Sequence, residues 1–272
     1  MATAPVNGIE IAYDDHGTGE QTLVLVHGHP FDRSMWQPQV AYAVRTGWRV
    51  IVADLRGYGE STVVPGRTTL DVFARDIAGL LDRLDVARFV LGGLSMGGQI
   101  VLECLRLFPD RVTGVLLAAT SATAETESGR RWRNDLADRL LREGMAGYAE
   151  ETLPKMLAPD NLAAMPEVAR RVSVMMHTTS PVGAAAALRG RADRPDYVAT
   201  LRQVAVPTLV VVGSEDAFTP LPDAELIAEC VPGAELVVVD GAGHLPNLER
   251  EAAFNDALGR LLQRVAAAGV RR

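Results

Sequence analysis

Cysteine is scarce in this 272-residue chain. Cys104 and Cys230 lie far apart, with neither the count nor the spacing of a disulfide framework or a zinc knuckle, so the sequence predicts two buried thiols and no metal site. Positive charge is in deficit too, with 27 Lys and Arg against 34 Asp and Glu and a formal net charge of −7. That balance offers no field to attract a phosphate backbone, which argues against nucleic acid as a partner and equally against anionic membrane surfaces. No apolar run is long enough to span a bilayer, and residues 1–17 lack the basic stretch followed by an apolar one that marks a secretory leader. A cytoplasmic location is the resulting expectation. Repeats and low-complexity tracts are missing as well, apart from Ala184 to Ala187, a plain helix former.

What remains is an ordinary globular composition, 48% hydrophobic and 22% charged, on a chain long enough for one domain with an insertion. Short apolar runs alternate with longer helical patterns: residues 23–26, 50–52, 89–91, 112–117, 208–212 and 236–239. Runs of this kind without polar alternation suit strands covered by helices on both faces, hence an α/β fold with a mostly parallel sheet. Phe73, Ile77, Leu80, Leu81 and Leu84 recur at helical spacing behind a Thr68-x-x-Asp71 capping pattern. Phe254, Leu258, Leu261, Leu262 and Val265 repeat that spacing near the C-terminus. Residues 121–204 break the rhythm, with helical pieces punctuated by Pro154, Pro159, Pro166, Pro181 and Pro195. The predicted organisation is a core of residues 1–120 and 205–272 carrying a helical cap insertion at 121–204.

Gly93-Leu94-Ser95-Met96-Gly97 stands between the strand-like run at 89–91 and a helical pattern through Ile100, Val101 and Leu105. A nucleophilic serine at a sharp strand-to-helix turn needs small neighbours two residues away on each side, because a Cβ there would crowd the turn. The bland alternatives are a plain glycine turn or a phosphate loop. The run matches neither G-x-G-x-x-G nor G-x-x-x-x-G-K-[ST], so Ser95 is the candidate nucleophile.

A serine hydroxyl needs a base. Of the five histidines, His16 falls in an N-terminal turn, His27 and His29 flank Gly28, and His177 lies in the helical insertion. His244 alone follows a strand in a Gly-rich turn, Asp240-Gly241-Ala242-Gly243-His244, where the carboxyl edge of a parallel sheet can present it. The orienting acid should also end a strand. Asp216 does so after residues 208–212, with Glu215 and Asp240 as competitors. For an oxyanion, the backbone N–H of Met96 needs a second donor. His29 N–H is the leading candidate and Phe31 the reserve, because Pro30 between them has no N–H. His27 is expected to fix that loop by hydrogen bonds.

These motifs, together with Asp54-Leu55-Arg56-Gly57-Tyr58-Gly59-Glu60-Ser61 and His27-Gly28-His29-Pro30, stand in the order found in the α/β-hydrolase fold family, which the chain resembles over nearly its whole length. The resemblance implies a mostly parallel eight-stranded sheet with helices on both faces, a cap inserted after the sixth strand, and catalysis by Ser95, Asp216 and His244 without a cofactor. Within the family the chain is similar to small esterases, 3-oxoadipate enol-lactonases and cofactor-free haloperoxidases, so a small-molecule ester or lactone is the expected partner. C–C bond hydrolysis, perhydrolysis on the same residues and a non-catalytic ligand receptor are the alternatives. Trp132, Met175, Met176 and His177 from the insertion, with Phe31, Phe218 and Leu245 from the core, are the candidates to line a substrate pocket. The motif loops show no cationic cluster, which favours an uncharged acyl group.

Overall fold

Helices on both sides of a sheet leave no solvent-facing row of side chains, so five of the six apolar runs become strands largely buried on both faces, whereas the run at 236–239 becomes an edge strand that leaves Val238 exposed. The computed structural model describes residues 2–269. In it the first two strands are β1 (Ala2–Val6) and β2 (Ile9–His16). The six apolar runs become β3 (Thr22–Val26), β4 (Arg49–Ala53), β5 (Phe89–Leu94), β6 (Val112–Ala118), β7 (Thr208–Gly213) and β8 (Glu235–Val239). The order across the sheet is β1-β2-β4-β3-β5-β6-β7-β8. Strands β3 to β8 pair in parallel, whereas β1 and β2 extend the β4 side antiparallel. Asn7 and Gly8, both at positive φ, close the β1–β2 hairpin as a two-residue turn. His16 therefore ends a strand rather than lying in a turn.

Alternate residues of β3 serve opposite sides. Leu23 and Leu25 pack with α1 (Gln37–Arg45) and α12 (Glu251–Gly269), while Val24 and Val26 pack with α2 (Leu70–Arg83), α3 (Met96–Leu107) and α10 (Leu221–Cys230). The expected cap of α2 shifts by one residue. Thr69 is the N-cap, its hydroxyl donating to Asp71 Oδ1 at 2.6 Å, while Thr68 N donates to Ala186 O at 2.9 Å.

Between β6 and β7 the chain forms α4 (Glu127–Glu143), α5 (Ala146–Met156), α6 (Pro159–Ala164), α7 (Pro166–Thr178), α8 (Pro181–Arg191) and α9 (Val198–Leu201). Four of these begin at or beside a proline or a polar cap; Thr126, for example, accepts from Gly129 N at 3.0 Å to open α4. Helix α8 lies between α4 and the core with Ala184 to Ala187 buried. A Cβ on Gly183 would overlap the backbone of Gly57, and one on Gly190 would overlap that of Thr68. The alanine run is thus a close-packing device, and not merely a helix former. Among the described residues no helix is long and apolar enough to cross a membrane.

Candidate active site

Ser95 joins β5 to α3 with φ 57° and ψ −116°, a left-handed conformation that costs a residue with a side chain roughly 1–2 kcal/mol. The surroundings hold it there. Ser95 N donates to Ala118 O at 2.9 Å, and Ser95 O accepts from Gln99 N at 3.1 Å and Thr120 Oγ1 at 2.7 Å. A Cβ on Gly93 would overlap Gly97, and one on Gly97 would overlap the carbonyl of Val26, so both glycines are required by close approach. Ser95 is thereby aimed from the carboxyl edge of the sheet, where the loops after β3, β7 and β8 also end.

Asp216 follows β7 and His244 follows β8. His244 Nδ1 lies 3.0 Å from each carboxylate oxygen of Asp216, and both side chains are buried. Asp216 also accepts from Phe218 N at 2.8 Å, Thr219 N at 3.1 Å and Thr219 Oγ1 at 2.5 Å. Burial pushes the Asp216 carboxyl up, but the charge of His244 and the bonds from His244, Thr219 and Phe218 outweigh it and hold the group below its ordinary value. The competing acids are both exposed. With Nδ1 on the carboxylate, His244 keeps Nε2 for proton transfer elsewhere.

The turn carrying His244 is clamped by a residue that sequence reasoning missed. Glu249, in α11 (Pro246–Glu249), is buried and accepts from Gly243 N at 2.9 Å and Leu245 N at 3.3 Å on one oxygen. Its other oxygen accepts from Ala158 N and Asn161 Nδ2, both at 2.7 Å. His244 N itself donates to Met156 O at 3.1 Å. The interhelical segment at α5–α6 and the histidine turn are thus one hydrogen-bonded unit. The signal was a glutamate five residues past the histidine, at the end of a short helix.

The loop after β3 reaches the serine. A Cβ on Gly28 would stand 3.3 Å from Ser95 Cβ and 3.0 Å from Leu94 O. His27 fixes this loop as expected: Leu55 N donates to its Nε2 at 2.9 Å, so Nδ1 carries the proton and donates to Gly28 O at 2.8 Å. Burial lowers its pKa, which keeps the ring neutral. Met96 opens α3, where the first amides have no partner within the helix. His29 lies 2.8 Å from Tyr58 Oη through Nδ1, and Tyr58 Oη in turn lies 3.9 Å from Met96 Sδ.

The remaining expected pocket residues are placed unevenly. Phe31 and Leu245 are fully buried, and the ring of Phe218 packs against that of His244 at 4.9 Å, tilted by 58°. Met175 and Met176 are buried in α7, with Met175 Sδ accepting from Ser34 Oγ at 3.5 Å. Two expectations need correction. Trp132 is 53% exposed on α4 and meets the guanidinium of Arg133 at 5.7 Å. His177 is exposed and bonds the carbonyl of Ser173 within its own helix at 2.8 Å. Helical spacing brings a residue to one face of a helix without fixing which face turns inward. A surface cavity of about 880 Å³, lined in part by Asp14, Arg33, Asp54 and Glu60, includes none of Ser95, Asp216 and His244. Arg33 pairs with all three of those carboxylates, which marks a structural network.

The absence of cations near the motif loops is also overturned. Arg133 from α4 and Arg191 from the end of α8 lie near enough to His29 for their charges to act on it, and Arg194, just beyond α8, acts in turn on Arg191. They are 58 residues apart at the extremes of the pair Arg133 and Arg191, a distance that sequence reading does not bridge. Among the described residues there is no group of three or more side chains suited to hold a metal ion.

A model of the alpha/beta hydrolase family matches residues 23–257. Among solved structures, the chain is similar to a thermophilic esterase from Thermogutta terrifontis, solved with malate bound, at 39% identity over 97% of both chains with a TM-score of 0.92. It is also similar to an enol-lactonase from Burkholderia xenovorans at 30% identity, covering 96% of this chain and 100% of that one, with a TM-score of 0.89. The 3-oxoadipate enol-lactonase 2 of Acinetobacter baylyi is 27% identical over 264 residues, 96% of each protein.

Proposed function

The chain belongs to the alpha/beta hydrolase family, and we propose that within it the protein cleaves carboxylic esters or lactones through an acyl-enzyme on Ser95. The observation that carries this reading is the buried Asp216–His244 pair at 3.0 Å, ending two strands on the sheet edge where the left-handed turn holds Ser95. His244 Nε2 takes the proton as Ser95 Oγ bonds to the carbonyl carbon. The N–H groups of His29 and Met96 stabilise the oxyanion. Collapse of the tetrahedral intermediate breaks the ester C–O bond, with the alkoxide taking the proton from His244. Water, deprotonated by the same histidine, then releases the acid and restores the serine. Met175, Met176, Phe31, Phe218 and Leu245 contribute the apolar walls of the substrate site beneath a cap formed by residues 121–204.

Likeness to an esterase and an enol-lactonase over nearly full length supports this choice of bond. A panel of 4-nitrophenyl esters of graded chain length, with lactones alongside, tests it in the presence of EDTA. Turnover is expected in the wild type, and a fluorophosphonate should add covalently to Ser95 by mass spectrometry. Ser95→Ala should lose both while keeping its fold. Labelling without turnover on any ester or lactone would move the reading to C–C bond hydrolysis, perhydrolysis or ligand reception.

A further inference from the structure

Ser95 is not the only strained residue at the nucleophile. Ala119, the first residue after β6, has φ 44°, in the left-handed region that costs a residue with a side chain roughly 1–2 kcal/mol. The two strained residues hold one another. On one side of Ala119, Ala118 O accepts from Ser95 N at 2.9 Å; on the other, Thr120 Oγ1 donates to Ser95 O at 2.7 Å. Ala119 N, between them, donates to Val211 O at 2.8 Å and ties the turn to β7. Both backbone polar groups of the nucleophile are thus gripped by the end of β6.

The bond from Thr120 is surplus to folding. Ser95 O already accepts from Gln99 N at 3.1 Å, the first bond of α3, so the carbonyl would not be orphaned without the hydroxyl. Thr120 is nevertheless buried, and α3 makes room for it: a Cβ on Gly98 would stand 2.6 Å from Thr120 Cβ and 2.7 Å from its Oγ1. Glycine within a helix costs up to about 1 kcal/mol relative to alanine. The strained Ala119 and the glycine at 98 together place one hydroxyl on one carbonyl.

That carbonyl belongs to the peptide group whose other end is the Met96 N–H. A trans peptide is planar, with its C=O and N–H antiparallel, so fixing the oxygen fixes the line along which the Met96 N–H points. A hydrogen bond accepted at the oxygen also polarises the amide and strengthens what its N–H donates. We propose that Thr120 is a positioning residue for the oxyanion donor: through the Ser95–Met96 peptide group, its hydroxyl aims and strengthens the Met96 N–H toward the negative charge that forms on the substrate's carbonyl oxygen. The role in ester or lactone cleavage rests on the hydrolase reading; the clamp on the nucleophile's peptide group does not.

Thr120→Val keeps the shape of the side chain and removes the hydroxyl, whereas Thr120→Ser keeps the hydroxyl. Deleting an oxyanion donor outright costs about 10²–10³ in kcat, so weakening one should cost about tenfold. Acylation and deacylation both pass through an oxyanion, so on 4-nitrophenyl acetate kcat of Thr120→Val should fall about tenfold with KM within about twofold. Thr120→Ser should recover most of the loss. The apparent pKa of the pH–rate profile belongs to His244, with which Thr120 shares no hydrogen bond among the described residues, and should not move. Phosphonylation by a fluorophosphonate reads the same donor without turnover. As Ser95 Oγ bonds to phosphorus, His244 takes its proton, fluoride leaves and charge builds on the phosphoryl oxygen, so this rate constant should also fall about tenfold in Thr120→Val. If Thr120→Val does not fold, Thr120→Ala against Thr120→Ser isolates the hydroxyl, since both lack the methyl. Rates within about twofold of wild type in the folded valine variant, an equal loss in Thr120→Ser, or a displaced pKa would overturn the proposal. No turnover of any ester or lactone, with phosphonylation still dependent on Thr120, would overturn the hydrolase reading and leave the clamp standing. A wild type that is neither labelled nor active would overturn both.

Discussion

Glu249→Gln tests whether a residue outside the reacting set positions the base. The carboxylate of Glu249 meets four donors, two on each oxygen. Glutamine keeps one oxygen and turns an NH2 group toward the other pair. The pair at Ala158 and Asn161 is the shorter, and Asn161 is fixed by bonds to Gly241 O at 2.7 Å and from Arg250 at 2.9 Å, so it cannot flip to receive the amide without losing both. The nitrogen therefore faces Gly243 N and Leu245 N, the residues on either side of His244. Leaving two buried donors without acceptors costs about 1–3 kcal/mol each, roughly 2–6 kcal/mol in total. At about 2–4 °C per kcal/mol for a chain near this size, Tm should fall by roughly 5–20 °C. A base displaced by about 1 Å loses on the order of a hundredfold in rate, so kcat on an activated ester should fall about 10- to 100-fold with KM little changed. Thermal unfolding by circular dichroism and steady-state kinetics measure the two effects. A Tm within about 1 °C of wild type with kcat within about twofold would refute the reasoning, because no relaxation of this turn can hide two orphaned donors.

Asp216→Asn should lower kcat by about ten-thousand-fold through the wrong histidine tautomer, while Asp240→Asn, at an exposed position, should do far less. Because the folded-state pKa of Asp216 is depressed, the stability it contributes is fully present above the unfolded value of about 3.9 and is lost as pH falls through the lower folded value. The gap in denaturation free energy between wild type and Asp216→Asn should therefore hold from pH 8 to 5 and close below about pH 4; closure between pH 8 and 6 would contradict the assignment. Gly183→Ala should destabilise the protein by about 1–3 kcal/mol in urea despite the better helix propensity of alanine, because the new methyl meets the backbone of Gly57. Cys104, whose thiol burial pushes well up, should resist alkylation in the native protein at pH 8 and react only on unfolding, which mass spectrometry can follow.

Features that depend on neighbours in sequence were legible. The six apolar strands, the serine turn and the histidine turn each announce themselves within about ten residues, through an unbroken apolar run or a spacing of glycines. The β1–β2 hairpin was equally local, since Asn7-Gly8 between Val6 and Ile9 is a strong hairpin signal, yet its half-exposed strands lack the apolar run that marks the others. What could not be read depends on long separations. Glu249 matters because Ala158 and Asn161 come to meet it across about ninety residues, and Arg191 is charged, buried and unpaired only once α8 has been laid against α3. Trp132 and His177 fail for the related reason that hydrophobic spacing on an isolated helix does not say which side the rest of the chain will cover.

Gly183 and Gly190 are seven residues apart, two turns of helix, and so face the same side of α8 toward Gly57 and Thr68. Backbone touching backbone at two points fixes this helix in rotation and along its axis. Adding or deleting one residue inside α8 would turn one of those points by about 100°, away from the core. Length change is therefore excluded from α8, as it is from the α5–α6 joint, whose backbone is bonded to the histidine turn. A chimera that borrows its substrate wall from a relative should place its crossover before Pro181 so that α8 stays native, and should keep Met156, Ala158 and Asn161 together with the histidine turn they hold.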